Sequence, residues 1–331
     1  MLKKLALMVV AVAVLLVGGT YIAFRVSPWP SVLLIRWAFA DNGEKALKAL
    51  EKYVPQGISE KRNLRYAEGS PDTLLDIFSP PGIEDGARLP VVVWVHGGGF
   101  IGGTKDHVAN YLKILAGQGF VTVSIDYSLA PGAQYPTPVR QLNEALAFIA
   151  ANAGAYHVDT ARFILGGDSA GAQIAAQTAI AISKPAYAKE LALAPAIMRS
   201  QLRGVVLHSG AYAADGLNFD GEFGRFLRTV FWAYLGTRDF DGDPRLKQLS
   251  VIANADAGFP PAFITSGNAD PLEPQARRLA EKLKSVGVTA DTLFFEKSYQ
   301  PPLEHEYQFN LDIKAGRQAF ERSVAFMKSV P

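Results

Sequence analysis

A serine flanked by glycines stands at the junction of a predicted strand and a predicted helix. The segment reads Gly167-Asp168-Ser169-Ala170-Gly171. A turn of this kind is too tight for side chains near the serine, so glycine is needed at both flanks and the hydroxyl stands exposed, ready to attack a carbonyl. The helix that follows also directs its positive end at negative charge developing on a substrate. The pattern also occurs by chance, so its meaning depends on the rest of the chain.

A triple glycine follows another predicted strand, in a segment that begins 73 residues before Ser169. The segment reads His96-Gly97-Gly98-Gly99-Phe100. Consecutive glycines let backbone N–H groups approach a substrate and donate to a carbonyl oxygen that becomes negative in acyl transfer. The alternative is a phosphate-binding loop, but the segment lacks the Lys-Ser/Thr of a P-loop and the acidic partner of a dinucleotide site. Alongside the serine, this loop favours an oxyanion hole.

The serine needs a base and an orienting acid. A hydroxyl is a weak nucleophile unless a histidine takes its proton and a carboxylate orients that histidine. In hydrolases whose serine stands at a strand-to-helix turn of this kind, the three residues follow one another along the chain in the order Ser, Asp, His. Of the five histidines, only His305 follows the last predicted strand. Asp270 follows the predicted strand 262–266 in a loop suited to reach it, and Glu273 is the second candidate. Singly, Asp270 could cap a helix and His305 could be a surface imidazole, but jointly they predict a triad with Ser169.

The elements around these residues alternate. Predicted strands cover 91–96, 120–126, 162–165, 205–208, 262–266 and 292–296, and predicted helices cover 106–118, 137–152, 171–183, 273–286 and 311–328. This alternation predicts a mostly parallel sheet flanked by helices on both faces. Residues 211–250 interrupt it with an aromatic-rich stretch, which predicts an insertion. Ahead of the sheet, residues 32–53 predict one or two amphipathic helices, broken at Gly43.

The N-terminus carries a membrane signal. Lys3 and Lys4 precede an uncharged apolar run from Leu5 to Phe24, which as a helix spans ~30 Å, the thickness of a bilayer core. It predicts a transmembrane anchor with the body on the extracytoplasmic, periplasmic side, because positive residues favour a cytoplasmic N-terminus. Secretion after signal-peptide cleavage is the alternative. The one A-x-A, at 11–13, lies inside the run and leaves too short an apolar stretch, which favours the anchor.

Composition sets further limits. The 331 residues carry a net charge of +2 with no basic block, which excludes an electrostatic nucleic-acid surface. The absence of cysteine excludes thiol nucleophiles, thiolate metal sites and disulfides. Neither a metal nor a cofactor is predicted, and the sequence leaves the oligomeric state open.

These segments resemble the hormone-sensitive-lipase-like carboxylesterases, a branch of the α/β-hydrolases, over about residues 60–330. The resemblance rests on the H-G-G-G-F and G-D-S-A-G segments, D-Y-S-L-A-P at 126–131 with Y-P at 135–136, D-P-L at 270–272 and the late histidine. It implies that Ser169 is the nucleophile, His305 the base and Asp270 the orienting acid. It also implies that the N–H groups of Gly98, Gly99 and Ala170 donate to the oxyanion. His96 would brace the glycine loop and not act on substrate.

The resemblance also implies an α/β-hydrolase fold with a helical cap. The predicted organisation is an anchor or signal segment at 1–30, N-terminal cap helices at 31–60 and a catalytic domain at 61–331, with a cap insertion at about 211–250.

Four positions depart from the family pattern without removing a reacting group. Ser128 and Gly132 replace the usual Arg and Glu of the D-Y-R-L-A-P-E segment, which suggests that a charge interaction on the cap or oxyanion side is absent. Pro274 occupies a place often held by Asp. Glu306 follows the histidine where a small residue is common. Glu304 and Glu306 could raise the basicity of His305, but we expect both on the solvated surface.

The predicted reaction is hydrolysis of a small carboxylic ester through an acyl-enzyme. The same triad could serve an amide or formamide hydrolase or a deacetylase, and a non-catalytic binding protein is the remaining alternative. The aromatic insertion and the apolar helix 32–39 beside the anchor suggest a lipophilic substrate entering from the bilayer. These aromatics could instead be the cap's own core.

Overall fold

A mixed eight-stranded sheet organises the computed structural model, which describes residues 2–213, 217 and 219–330. The strands are β1 (Ser59–Arg65), β2 (Leu74–Ser79), β3 (Leu89–Val95), β4 (Val121–Ile125), β5 (Val158–Asp168), β6 (Leu202–His208), β7 (Ala262–Thr265) and β8 (Ala290–Leu293). Their order across the sheet is β1-β2-β4-β3-β5-β6-β7-β8. The pairs β1–β2 and β2–β4 are antiparallel and every other neighbouring pair is parallel.

Eleven α-helices accompany the sheet in the described residues, and two of them precede its first strand in the chain. They are α1 (Leu2–Val26), α2 (Trp29–Leu50), α3 (Ala109–Ala116), α4 (Thr137–Ala151), α5 (Ala170–Ser183), α6 (Pro185–Glu190), α7 (Gly221–Leu235), α8 (Pro244–Leu249), α9 (Val251–Asn254), α10 (Glu273–Ser285) and α11 (Lys314–Ser329). Short 3₁₀ turns lie at 51–53, 199–201 and 307–309.

Strand β3, near the middle of the sheet, is buried on both faces. Its residues 91–95 are all fully buried, and it pairs in parallel with β4 on one side and β5 on the other. Val91, Val93 and Val95 join one apolar cluster, whereas Val92 and Trp94 join the cluster on the opposite face. Alternate side chains of a strand point to opposite faces, so a strand covered on both sides reads as a continuous apolar run.

Most predicted elements are confirmed, within a few residues at their ends, and the α/β-hydrolase fold with its mostly parallel sheet is confirmed. The two antiparallel strands β1 and β2 were not predicted. The aromatic stretch at 211–250 contains α7 and α8, while its residues 214–216 and 218 lie outside the described residues.

The predicted break of the N-terminal helix at Gly43 is wrong. Helix α2 runs without interruption from Trp29 to Leu50 and then tightens into a 3₁₀ turn. A Cβ at Gly43 would collide with the imidazole of His107, so this glycine provides space for packing and does not end the helix.

Helix α1 is exposed along its apolar part. The span Lys3–Val26 is long and apolar enough to cross a membrane, and its apolar window is not buried against the rest of the described chain. A signal sequence meets the same test of length and composition. Only Ser27 and Pro28 separate α1 from α2.

Candidate active site

The predicted serine turn lies between β5 and α5, at the carboxyl end of a central strand. Ser169 has φ +50° and ψ −117°, a strained conformation for a residue with a side chain. A Cβ on Gly171 would overlap the backbone carbonyl of Val95, and one on Gly167 would lie 2.5 Å from the carbonyl carbon of Gly171. Both flanking glycines are therefore required because backbone approaches backbone at this turn.

The structure brings the three predicted reacting groups together. His305 Nε2 lies 3.0 Å from Ser169 Oγ, and His305 Nδ1 lies 3.0 Å from Asp270 Oδ2. The buried Asp270 carboxylate also accepts hydrogen bonds of 2.8 Å from the Ser266 hydroxyl and from the Leu272 N–H. These two bonds fix the carboxylate in the loop after β7, facing the imidazole.

The second acid candidate, Glu273, is engaged elsewhere. Its carboxylate is buried and forms ion pairs with Arg277 and, at 3.1 Å, with Lys297. Asp270 is therefore the carboxylate that meets the histidine.

The electrostatics of the His305–Asp270 pair favour the charged imidazole. The His305 side chain is 36% exposed because one edge faces a cavity, while protein surrounds the rest. Burial lowers the pKa of His305, but the hydrogen bond to Asp270 and the charges of Glu306, Asp270 and Asp168 together raise it to about 9. Burial likewise opposes the charge on Asp270, yet its bonds to His305, Leu272 and Ser266 hold its pKa below the usual range.

Glu306 is less solvated than a surface location implies, since its side chain is 32% exposed and faces His305. Its carboxylate Oε1 lies 3.6 Å from His305 Nε2, and the residue lines the cavity. The backbone of Glu306 has φ +60°, a left-handed conformation that turns the chain directly after the histidine. Its N–H donates to Ser209 Oγ at 3.3 Å. A sequence pattern gives no sign of this turn, which explains why the placement was missed. Glu304, in contrast, is exposed as expected.

Asp168 joins the serine turn to the glycine loop. Its buried carboxylate accepts 2.7 Å hydrogen bonds from Trp94 Nε1–H and from the Gly97 N–H. Burial and the nearby negative charge of Glu306 raise the pKa of Asp168 well above its ordinary value. The motif residue before the nucleophile is therefore a structural link between two loops.

The glycine loop follows β3 and folds back on itself. Gly98 has φ +110°, and a Cβ there would overlap the carbonyl of Gly102, whose N–H donates to the Gly98 carbonyl at 2.9 Å. Gly99 faces α7, since its Cβ would lie 3.1 Å from the Phe226 ring. The loop thus reaches the cavity, which Gly97 and the half-buried Gly98 and Gly99 line.

His96 is buried beneath this loop. Its Nδ1–H donates to the Gly97 carbonyl at 2.7 Å, and its ring stacks on Tyr127 at a centroid distance of 4.4 Å. Burial lowers the pKa of His96 to about 4, which keeps the ring neutral at ordinary pH. This position fits a bracing role and not contact with substrate.

Ser169 and His305 line a cavity of about 560 Å³. The glycine loop and Glu306 contribute to its wall, and most of its remaining lining is apolar. Helix α2 and its neighbours supply Phe39, Gly43, Ala46, Leu50, His107 and Phe309, and the α7 region supplies Leu217, Phe223, Phe226, Leu227, Val230 and Phe231. The two sides meet where the rings of Phe39 and Phe226 pack at 6.0 Å.

One contact that the sequence did not predict ties α2 to the glycine loop. Arg36 Nε donates to the Ile101 carbonyl at 2.6 Å, and Arg36 Nη2 donates to the Ala130 carbonyl at 3.1 Å. A cation therefore does reach this region, whereas Ser128 forms neutral hydrogen bonds, with Gln141 at 2.8 and 2.9 Å and with the Ser70 hydroxyl at 3.0 Å. The sequence signal for this contact was a single arginine within the otherwise apolar segment 32–39.

Comparison with known proteins agrees with this geometry. A family profile described as an alpha/beta hydrolase fold matches residues 92–299. Carboxylesterase NlhH of Mycobacterium tuberculosis is 32% identical over 291 residues, which is 86% of this chain and 86% of NlhH. This chain belongs to the hormone-sensitive-lipase-like α/β-hydrolases.

This hydrolase is also similar to a second esterase sequence and to two solved esterase structures. Esterase LipI of Mycobacterium tuberculosis is 32% identical over 220 residues, covering 65% of this chain and 66% of LipI. The hyperthermophilic esterase of Pyrobaculum calidifontis superposes with a TM-score of 0.72 at 26% identity, covering 91% of this chain and 94% of that one. Esterase B of Lactobacillus rhamnosis, at 19% identity and a TM-score of 0.77, shares the fold over 91% and 95% of the two chains.

The predicted family and the prediction of a carboxylic ester hydrolase are confirmed.

Proposed function

We propose that this carboxylesterase cleaves its ester through the chain of hydrogen bonds from Ser169 to His305 to Asp270. The observation that carries the proposal is the pair of 3.0 Å contacts on either side of the His305 imidazole, next to the cavity. Ser169 Oγ attacks the ester carbonyl while His305 Nε2 takes the hydroxyl proton. The protonated imidazole then gives that proton to the leaving alkoxide, and water, activated by the same nitrogen, releases the acid and restores the serine.

Backbone N–H groups of Gly98, Gly99 and Ala170 are proposed to hold the oxyanion. Ala170 is the first residue of α5, so its N–H belongs to the positive end of that helix. Asp168 accepts from the Gly97 N–H and immediately precedes the nucleophile, which holds the loop and the serine turn in one arrangement. Preorganised donors of this kind stabilise a tetrahedral intermediate, and one donor is worth ~2.7 to 4 kcal/mol in comparable sites.

The test is replacement of the nucleophile. Ser169→Ala should abolish hydrolysis of p-nitrophenyl butyrate and labelling by a fluorophosphonate probe, while circular dichroism stays unchanged. Ser183→Ala, at the other end of the same helix, removes a hydroxyl that donates only to the Ala179 carbonyl and should keep both activities. Undiminished turnover or labelling in Ser169→Ala would end the assignment. An anilide with the same acyl chain, run in parallel, measures how far the site accepts amides.

The substrate class is proposed to be small lipophilic esters. Six phenylalanines line the cavity, and four of them, Phe39, Phe223, Phe226 and Phe231, belong to α2 and α7. Other aromatic residues of this region serve as internal packing instead, since the ring centroids of Phe219 and Phe240 lie 5.6 Å apart. A cavity of about 560 Å³ encloses a ligand of modest size. A series of p-nitrophenyl esters from acetate to palmitate should give a maximum of kcat/KM at intermediate chain length, and a flat profile would contradict the proposal.

Helix α1 is proposed to anchor the enzyme in a membrane, with Lys3 and Lys4 on the cytoplasmic side and the catalytic body on the other. Its length, its apolar composition and its lack of burial support this role. In membranes from an expressing bacterium, the full chain should resist extraction by alkaline carbonate and keep its original N-terminus by mass spectrometry. A soluble protein that begins after residue 20 would instead indicate a cleaved signal.

A further inference from the structure

Exposed apolar side chains are concentrated in one part of the molecule. Among the described residues, every large apolar side chain that is exposed lies between Leu5 and Trp37, with the single exception of Met198. Those on α2 are Trp29, Leu33, Leu34 and Trp37, with exposures that range from 42% for Trp29 to 77% for Trp37. We call these four residues the docking face. Contiguous exposed apolar surface of this kind is typical of an interaction site.

The docking face lies on the outer side of a helix whose inner side is already used. Val32 and Leu50 are buried against the body, and Phe39 and Ala46 line the cavity. Trp29, Leu33 and Trp37 recur every four residues and so share one outer face. Helix α2 therefore has two apolar sides, and the inner side packs against the body. On the outer side the Trp29 ring meets the Arg36 guanidinium at 5.4 Å, whereas Leu33, Leu34 and Trp37 are more than half exposed.

The docking face ends where α2 moves away from α1. Beyond Phe39, the exposed positions of α2 are polar or small: Ala40, Asp41, Asn42, Glu44, Lys45, Lys48 and Ala49. The apolar outer surface is thus confined to the turns of α2 that directly follow the Ser27-Pro28 link. A surface that is apolar only next to a membrane-type helix, and polar further away, matches the gradient from lipid to water.

Tryptophans and arginines surround the same junction. Three of the four tryptophans, Trp29, Trp37 and Trp232, belong to α2 and α7, whereas Trp94 is fully buried in the sheet. Arg238 Nη1 donates to the Arg25 carbonyl at 2.9 Å and its guanidinium lies 5.4 Å from the centre of the Trp232 ring. Tryptophan and arginine are enriched at the boundary between lipid and water. The end of α1 is therefore held against the body by residues suited to that boundary.

We propose that the docking face is seated in the bilayer interface, with lipid as its occupant, so that α2 lies on the membrane and delivers lipophilic esters to the cavity. This inference rests on the proposed anchoring by α1. Phe39 is two residues beyond Trp37, lines the cavity and packs against Phe226. The cavity therefore begins next to the docked surface, and an ester dissolved in the bilayer reaches Ser169 with little exposure to water.

Depth measurement tests the docking directly, because the chain has no cysteine and single labels can be introduced cleanly. Full-length Trp37→Cys, Val12→Cys and Met198→Cys proteins would carry the fluorophore NBD and be reconstituted in vesicles of phosphatidylethanolamine and phosphatidylglycerol. We expect nitroxides near the lipid headgroups to quench the label at 37, mid-chain nitroxides to quench the label at 12, and neither to quench the label at 198. A label at 37 that behaves like the one at 198 overturns the proposal, whatever the label at 12 does.

Turnover provides the second test. The triple variant Leu33→Ser, Leu34→Ser, Trp37→Ser should lose about tenfold in kcat/KM for a long-chain ester dispersed in vesicles and keep its rate with water-soluble p-nitrophenyl acetate. Met198→Ser, which removes the exposed apolar side chain away from the junction, should change neither rate. Equal losses with both esters, or no loss with either, overturn the docking role. Failure of the wild-type enzyme with every ester would instead contradict the proposed function, and the depth measurement is independent of that outcome.

Discussion

The cavity has two sides of different construction. The catalytic side comprises the glycine loop at 96–100, the serine turn at 167–171 and the His305 loop, and buried polar bonds hold it at the carboxyl ends of β3, β5 and β7. The lipophilic side comprises α2 and α7, which meet the cavity through apolar and aromatic contacts. Chemistry requires positions fixed to fractions of an ångström, whereas binding an acyl chain requires only apolar surface of suitable shape.

The two sides also differ in what a small change would disturb. Gly171 on the catalytic side packs against the Val95 carbonyl, so an added methyl group meets rigid backbone. Gly43 on the lipophilic side packs against the His107 imidazole, a side chain that can turn away. The first prediction below compares matched changes on the two sides, and the other three test the contacts that position the catalytic side.

The largest difference is expected between two glycine substitutions. Gly171→Ala should prevent accumulation of folded enzyme, since relieving the overlap requires moving β3 or α5, at a cost above about 4 kcal/mol. Gly43→Ala should fold and lose about 1 to 2 kcal/mol in urea-induced unfolding. A folded, active Gly171→Ala protein would show that the catalytic side is more pliant than its packing indicates.

The next largest effect concerns the acid of the triad. Asp270→Asn should lower kcat by about 10⁴-fold, because the amide no longer holds His305 in the tautomer that accepts the serine proton. Glu273→Gln, which removes the second candidate carboxylate, should leave kcat within about threefold of the wild type and lower stability through the lost ion pairs. Comparable losses of kcat in both variants would contradict the assignment of Asp270.

The link between the two sides is the arginine of α2. Arg36→Met removes two charged hydrogen bonds to the glycine-loop side and should lower kcat/KM by about tenfold, with most of the loss in kcat. Arg228→Met is the matched control, since that guanidinium belongs to α7 and lies over the Phe219 ring at 4.9 Å. If both variants lose activity equally, α2 does not position the loop through Arg36.

The smallest effect is a shift of the pH profile. A pKa of about 9 for His305 means that the imidazole is charged at neutral pH, so kcat/KM should rise with pH and level off above about pH 9. Glu306→Gln removes a negative charge that favours the charged imidazole, so the rise should move to lower pH. At pH 7 the activity, as a fraction of its plateau, should increase about five- to tenfold.

The control for the pH shift is Glu304→Gln. Glu304 flanks His305 on the other side and is exposed, so its replacement should leave the midpoint of the profile in place. Three carboxylates face the imidazole, those of Asp270, Asp168 and Glu306. A midpoint that stays unchanged in Glu306→Gln would show that Asp270 and Asp168 alone set the basicity.

Much of the catalytic side could be predicted from the sequence because its signals are local and ordered. The glycines mark positions where backbone approaches backbone, and Ser169 and Asp270 each follow a buried strand, β5 and β7. The order of serine, aspartate and histidine then selects Asp270 and His305 from the alternatives. The sequence does not predict the distances from the His305 imidazole to Ser169 Oγ and Asp270 Oδ2, which are both 3.0 Å in the structure.

The elements that were missed depend on tertiary context. Strand β1 is an exposed edge strand rich in charged residues, so it lacks the apolar alternation by which a strand is recognised, and pairing with β2 defines it. Gly43 was interpreted through its intrinsic helix propensity, whereas contact with His107 explains its presence. The hydrogen bonds from Arg36 to the Ile101 carbonyl and from the Glu306 N–H to Ser209 join residues distant in the chain, which no local pattern records.

Asp168 has a consequence for how this enzyme can diversify. One buried carboxyl accepts hydrogen bonds from Trp94 and from the loop proposed to bind the oxyanion, and it is covalently next to the nucleophile. A mutation that adjusts either loop therefore disturbs the other, and most such mutations will be harmful together. Selection in the laboratory for new acyl preferences should accordingly accumulate its successful substitutions in α2 and α7, where sequence change is uncoupled from bond making.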